Sequence, residues 1–243
     1  DLLAFDRNRS VDPMQKIAGH RSVTAAQVLG LSPDTPHVGP QGTLTGGLMY
    51  QDGQMLSPER LVLAILRTAV QAGAVVVNHC EATDLIKSGK RISGVNIKDN
   101  LSQARAALSA KLVVNAAGPW ADEVMKLGDG KKGAKKLIRS KGIHLVTRSL
   151  TRGIALTVPV EDEHLFVLPW MGMSLLATTD TKFNDAPDDA CVTEADIKLL
   201  LDKTNAVLPE AHLTRDDVVH AYVGLRPLVT DINDTAETTY GLS

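Results

Sequence analysis

Aromatic side chains are scarce, at 3% of the 243 residues. The core must therefore be aliphatic, drawn from a hydrophobic content of 44%. Cysteine is rarer still. Cys80 and Cys191 lie far apart with no CxxC spacing. That points to a reducing compartment with buried or idle thiols, and it excludes a cysteine-based metal site. His20, His37, His79, His164, His212 and His220 show no HxxxH or HExxH spacing, so no metal site is read. Long apolar runs are missing. The longest, Leu61 to Leu66, stops at Arg67. A membrane-spanning helix needs about 20 such residues, so a span is excluded while a peripheral membrane contact stays open. A strong charge of either sign is lacking as well. The net charge of −2 gives no reason to expect a nucleic-acid partner. No signal peptide is visible in Asp1 to Asp6. The chain begins without Met and stops at Ser243 with no finishing element, so the expectation is a piece of a longer protein.

What is present centres on Val113 to Trp120, VVNAAGPW. An apolar run bounded by Gly and Pro reads as a buried strand, Leu112 to Asn115, that stops abruptly. Small residues follow at its carboxyl end, where α/β sheets place ligands. Ala116, Ala117 and Gly118 leave the backbone open to a flat or charged ligand. Pro119 suits a first helical turn, and Asp122 and Glu123 suit the positive end of the helix dipole. By spacing alone this is a strand-to-helix turn of any α/β fold.

Elsewhere the spacing from Val11 to Leu31 is helical, broken around Gly19-His20, with Asp12-Pro13 as an N-terminal signal. Gly46 to Tyr50 reads as a strand. Ser57-Pro58 opens a helix with one apolar face, Leu61, Ile65, Leu66, Ala69 and Val70, ended by Gly73. Strands are expected at Ala74 to Asn78, Ala82 to Ile86, Ile92 to Ile97 and Ala104 to Ala110. Further strands are expected over Leu137 to Val146, Gly153 to Val158, Leu165 to Pro169, Gly172 to Thr179 and Val218 to Val223. A helix from Thr193 carries Ile197, Leu200, Leu201, Thr204 and Val207. Gly128 to Gly133, GDGKKG, matches GxGxxG literally but follows a helix instead of a strand. No acid lies about 20 residues on, so it reads as a solvated linker. Antiparallel strands with helices to one side make the fold class α+β.

The ordered blocks SPERL at 57–61, VVNAAGPW at 113–120, KGIHLV at 141–146, FVLPW at 166–170, TTD at 178–180 and YVGLRPL at 222–228 carry a resemblance. They resemble the FAD-dependent glycerol-3-phosphate dehydrogenase family, within the D-amino-acid-oxidase-like flavoprotein superfamily. Ala177 departs from the Gly usual there before Thr-Thr-Asp. The resemblance implies a substrate domain with a mixed or antiparallel sheet and helices on one side, plus part of an FAD-binding α/β domain. Residues 1–56 and 126–231 are assigned to the substrate domain, 57–125 to the second half of the FAD domain, and 232–243 to a tail.

The resemblance also implies site roles. Glycerol 3-phosphate would lose a hydride from C2 to FAD and become dihydroxyacetone phosphate. His144 takes the family's catalytic position, and Arg226 lines the substrate site, stabilising an alkoxide or gripping phosphate. Cys80, Glu81 and Ala82 match backbone that touches adenine. Ala82, Ala116, Ala117, Gly118 and Trp120 are assigned to cofactor binding, and Lys141, Thr179 and Asp180 to substrate binding. Arg139 adds positive potential or is solvated. Electrons would pass to quinone, giving a cytoplasmic enzyme or one peripheral on the inner face of the cell membrane. The rivals are a glycerol-3-phosphate oxidase, an amine or amino-acid oxidase, and a catalytically silent folded module. The phosphate-binding Gly loop is not found in this sequence, so the chain alone is expected to hold FAD weakly or not at all.

Overall fold

The computed structural model describes residues 19–32, 38–39, 42–129, 137–160 and 163–228. Asp12-Pro13, the linker from residue 130 and the tail from residue 232 lie outside the described residues. The fold is α+β, and among the described residues every strand pairing is antiparallel.

The amino-terminal part differs from the helical spacing read there. Arg21–Thr24 is a strand, β1, and the helix α1 is Ala25–Leu31. Thr24 decides the boundary. Its hydroxyl accepts from the Gln27 N–H at 3.4 Å, and its own N–H donates to Gln27 Oε1 at 2.9 Å, a capping box that starts the helix one residue later. After the short ribbon β2, Val38–Gly39, and β3, Gly42–Thr43, comes β4, Gly46–Met49, which pairs with β1. A Cβ on Gly46 would lie 2.6 Å from the Val23 carbonyl oxygen, so glycine permits that pairing.

Helix α2, Pro58–Gln71, starts and stops as its sequence dictates. The Ser57 hydroxyl accepts from the Arg60 N–H. Gly73, at φ +94°, lets the Ala74 N–H reach back to the Ala69 carbonyl. Its apolar face, however, has no buried residue. Two further expectations fail beside it. Residues 74–78 and 112–115 are not strands, and neither segment pairs with any strand among the described residues. Val75 is 90% exposed, Leu112 77% and Val114 76%. A strand is made by its neighbour's hydrogen bonds, and no neighbour lies within the described residues. Between these segments the expected antiparallel meander forms: β5, Cys80–Ser88; β6, Arg91–Asp99; β7, Arg105–Ser109. A 3₁₀ turn, Gly118–Trp120, then leads into α3, Ala121–Asp129, which packs on β5.

The larger sheet holds β8, Ile138–Thr147; β9, Leu156–Val160; β10, Glu163–Trp170; β11, Met173–Ala177; β12, Thr181–Phe183; and β13, Val218–Leu228. β8 is its axis. β13 pairs along the whole of one edge, while β11 and β12 share the other. Met171 and Gly172, both at positive φ, turn the β10–β11 hairpin tightly. That hairpin is tied to the residues before α2, since Trp170 Nε1 donates to the Leu56 carbonyl at 3.1 Å. Helix α4, Glu194–Val207, covers one face of the sheet. Its Ile197, Leu200, Leu201 and Val207 bury against Ile143, Leu145, Val167 and Leu176. Leu200 is fully buried. Truncating it to Ala would cost about 2–5 kcal/mol.

Candidate active site

β8 and β13 place residues two apart on one face. Their register pairs Ser140 with Arg226, Gly142 with Gly224, and His144 with Tyr222. Ile143 and Leu145, on the opposite face of β8, belong to the core under α4. The even-numbered positions therefore form the face that α4 leaves open, with two glycines between the Ser140–Arg226 pair and the aromatic pair.

Arg226 starts on β13 and reaches across β8. Its Nη2 donates to Thr178 Oγ1 at 2.7 Å, and its Nη1 donates to the Thr179 carbonyl at 3.1 Å and to Ser140 Oγ at 3.3 Å. Thr178 to Asp180 lie in the break between β11 and β12, beyond the far edge of β8. The guanidinium can cross only because residue 142 has no side chain. A Cβ there would stand 2.7 to 2.9 Å from the guanidinium atoms. Three of the five guanidinium N–H donors are used in this way. The other two have no partner among the described residues. Ser140 in turn donates to Asp180 Oδ1.

His144 is half-buried, its ring stacked on Tyr222 with centroids 4.8 Å apart and planes 6° from parallel. Burial, and then the charge of Arg226, hold its imidazole below the ordinary histidine value. The ring is thus neutral near pH 7 and able to accept a proton. Its Nδ1 is buried and has no hydrogen-bond partner among the described residues.

The residues singled out in the sequence divide by position. His144, Arg226, Thr179 and Asp180 come together. The Thr179 hydroxyl is buried and accepts from the Ile143 N–H at 3.1 Å, while Asp180 is exposed. Lys141 is not brought to this face. It turns toward α4, where its Nζ donates to Asp196 Oδ2 at 2.7 Å. Asp196 also accepts from the Thr193 N–H and hydroxyl. Burial alone would raise the Asp196 carboxyl. The Lys141 and Thr193 hydrogen bonds outweigh it and hold the carboxyl low.

Arg139 is neither solvated nor part of the open face. It is buried, donating from Nε to the Pro119 carbonyl at 2.7 Å and from Nη2 to Asp122 Oδ1 at 2.5 Å. It clasps the GPW turn to the start of β8. Asn115 shapes the same turn from inside. Its Nδ2 donates to the Ala121 carbonyl at 2.8 Å, and its Oδ1 accepts from the Ala117 N–H at 3.2 Å. Gly118 sits at φ +53°, and a Cβ on it would meet nothing within 4 Å. Ala116 and Trp120 are exposed, with Ala117 and Gly118 half-buried, and the turn lies against β13. Ala82 is exposed on β5 of the separate meander.

Sequence reading assigned no role to Ser140, Gly142 or Tyr222. The signal was available in the period-two alternation of KGIHLV and YVGLRPL, but only the pairing register says which positions face each other. Among the described residues no cluster of His, Cys, Asp or Glu is placed to hold a metal ion.

Comparison with known proteins gives a consistent set of likenesses. The profile of the FAD dependent oxidoreductase family, DAO, matches residues 4–236. The chain is 33% identical over 222 residues to glycerol-3-phosphate dehydrogenase 2 of Mycobacterium tuberculosis, covering 90% of this chain and 37% of the relative. It is 32% identical over 219 residues to the alpha-glycerophosphate oxidase of Streptococcus pyogenes, covering 88% of this chain and 35% of the relative. Among solved structures, the glycerol-3-phosphate dehydrogenase from Bacillus halodurans complexed with FAD matches with a TM-score of 0.74 at 31% identity. That match covers 85% of this chain and 41% of the other. The chain thus spans little more than a third of the length of these curated relatives.

Proposed function

We propose, from the premise that this chain belongs to the FAD dependent oxidoreductase family, that it supplies the substrate side and part of the flavin side of an enzyme oxidising glycerol 3-phosphate. One observation carries the reading. An imidazole held below its ordinary basicity and a guanidinium with two N–H groups left over lie on the same face of β8 and β13, the guanidinium resting over Gly142. The names of the Mycobacterium tuberculosis relative and of the Bacillus halodurans structure support the substrate.

The small-residue turn fits a flat cofactor. Gly118 is open where a Cβ would stand, Ala116 and Trp120 are exposed, and no side chain at 116–118 is larger than a methyl group. Ala82, Ala116, Ala117, Gly118 and Trp120 would hold FAD from this side, with 57–125 as the flavin-side segment and 1–56 and 126–231 as the substrate side. Bound FAD supplies the acceptor for the hydride leaving substrate C2. His144 takes the proton of the C2 hydroxyl, since its depressed basicity keeps a lone pair available near pH 7. Arg226 is pre-positioned by Thr178, Thr179 and Ser140. Its two remaining N–H groups meet developing alkoxide charge or phosphate oxygen, with no reorganisation needed during the step.

The proposed final acceptor is a quinone, which makes the intact protein a peripheral enzyme at the cytosolic face of a membrane. Oxygen is the second reading, favoured by the likeness to the Streptococcus pyogenes oxidase. The test is made on the longest form that contains this chain. It should show a flavin absorption spectrum and turn over glycerol 3-phosphate in preference to amino acids. A colourless protein, or turnover of amino acids alone, overturns the proposal. Peroxide formation matching substrate consumption selects oxygen over quinone.

A further inference from the structure

We infer that Tyr222 is the positioning residue for His144, fixing the plane in which the imidazole meets its ligand. The inference rests on the reading above, in which His144 accepts the substrate's proton.

A reactive imidazole is ordinarily oriented by a hydrogen bond at its second ring nitrogen, from a carboxylate or a backbone carbonyl. His144 has no such anchor. Its Nδ1 is buried, yet no donor or acceptor among the described residues reaches it. What the ring does have is a face. Tyr222 stands directly opposite on β13 and stacks on it with planes 6° apart and centroids 4.8 Å apart. Directly opposed cross-strand side chains are close enough for that contact, and an offset stack has a preferred geometry. The stack therefore fixes the plane of the ring, the part of the missing hydrogen bond's task that aims the imidazole.

Tyr222 has a second aromatic neighbour. Its ring also meets His220 at 6.2 Å in a tilted contact. The Glu59 charge near the start of α2 adds to burial in raising its phenol. Yet Tyr222 remains 41% exposed.

The stack predicts a direct spectroscopic signature. In the full chain, His144 ring-proton resonances should lie upfield of the other imidazoles, through the ring current of the tyrosine. Tyr222→Phe should keep that shift and Tyr222→Leu should abolish it. In the intact flavoprotein, Tyr222→Leu should lower kcat about tenfold or more while KM changes little, because the loss is one of aim rather than binding. Tyr222→Phe should behave as the parent. Unshifted His144 resonances in the parent protein overturn the inference, even if the leucine variant fails to fold. So does a leucine variant that loses the shift but keeps kcat, or a phenylalanine variant that keeps the shift but loses kcat. Absence of glycerol 3-phosphate turnover in every form, with the upfield shift present, would instead count against the functional reading and remove the role inferred from it.

Discussion

Arg226 reaches over Gly142 from one edge of β8 to the other, and the two residues occupy the same space in turn: what glycine leaves empty, the guanidinium fills. A methyl group at 142 would fall 2.7 Å from Nη2. The atom displaced is the far end of a flexible side chain, so folding should tolerate the change. Gly142→Ala is expected to cost about 1 kcal/mol or less in stability. The displaced guanidinium would lose Thr178, Thr179 and Ser140 together. In the intact enzyme, kcat/KM for glycerol 3-phosphate should fall by about tenfold or more, a loss of roughly 1.4 kcal/mol of transition-state stabilisation. Denaturant unfolding and steady-state kinetics on the same variant check the split.

Lysine should not replace Arg226. A single ammonium cannot span Thr178, Thr179 and Ser140 at once while offering further donors outward. Arg226→Lys is expected to raise KM and lower kcat together, and to recover little of what Arg226→Ala loses. Kinetics of the two variants side by side decide this.

The titration of His144 has a defined direction. Its folded value lies below the ordinary one of about 6.5. Between those two values the unfolded chain binds more protons than the folded one, so stability rises with pH across that window and is lowest below it. An NMR titration of the imidazole should find its midpoint under the ordinary value. Arg226→Gln should move it upward without restoring it, because burial, the larger cause, remains.

The Lys141–Asp196 pair locks β8 to the first turn of α4, with side chains only 12% and 9% exposed. Removing one member leaves the other charge buried, so Lys141→Met should destabilise the chain by about 3 kcal/mol. The Asp196 carboxyl is held below its usual range. Its contribution is fully present above the unfolded value of about 3.9 and is lost as pH falls through the lower folded value. Chemical unfolding at pH 7 and a series of acid midpoints measure both effects.

Leu112 and Val114 are exposed hydrophobic residues next to the small-residue turn. Leu112→Ser should leave the unfolding free energy of the chain alone unchanged within about 0.5 kcal/mol. In the longer flavoprotein the same change should lower flavin content, because the apolar segment would there pair and bury. Equal behaviour in the two forms would show that the segment has no covering partner. Absorbance at the flavin bands against protein absorbance is the measurement.

Much of the fold was legible locally. The Ser57 cap, the glycine stop at 73, the meander from β5 to β7 and the buried stripe of α4 are each dictated by neighbours within a few residues. Residues 74–78 and 112–115 were misread as strands for the converse reason. Apolar, β-branched composition says that a segment can pair, while pairing itself depends on a second strand. Thr24 fell inside a helical run because nothing in its neighbours shows the strand partner, Gly46, that pairs with it 22 positions on, while its side chain caps the helix that follows.

Residue type and short spacing were enough for the ends of α2 and α4, the aliphatic character of the core, and the blocks around His144 and Arg226. Residue type could not show that Lys141 turns from the open face while Ser140, Gly142 and Tyr222 join it, or that Arg139 is a buried clasp. Those outcomes depend on the antiparallel register of β8 and β13 and on which neighbour reaches each charge. The register joins residues some 80 positions apart, and the charge partners lie 55 positions away for Lys141 and 17 for Arg139.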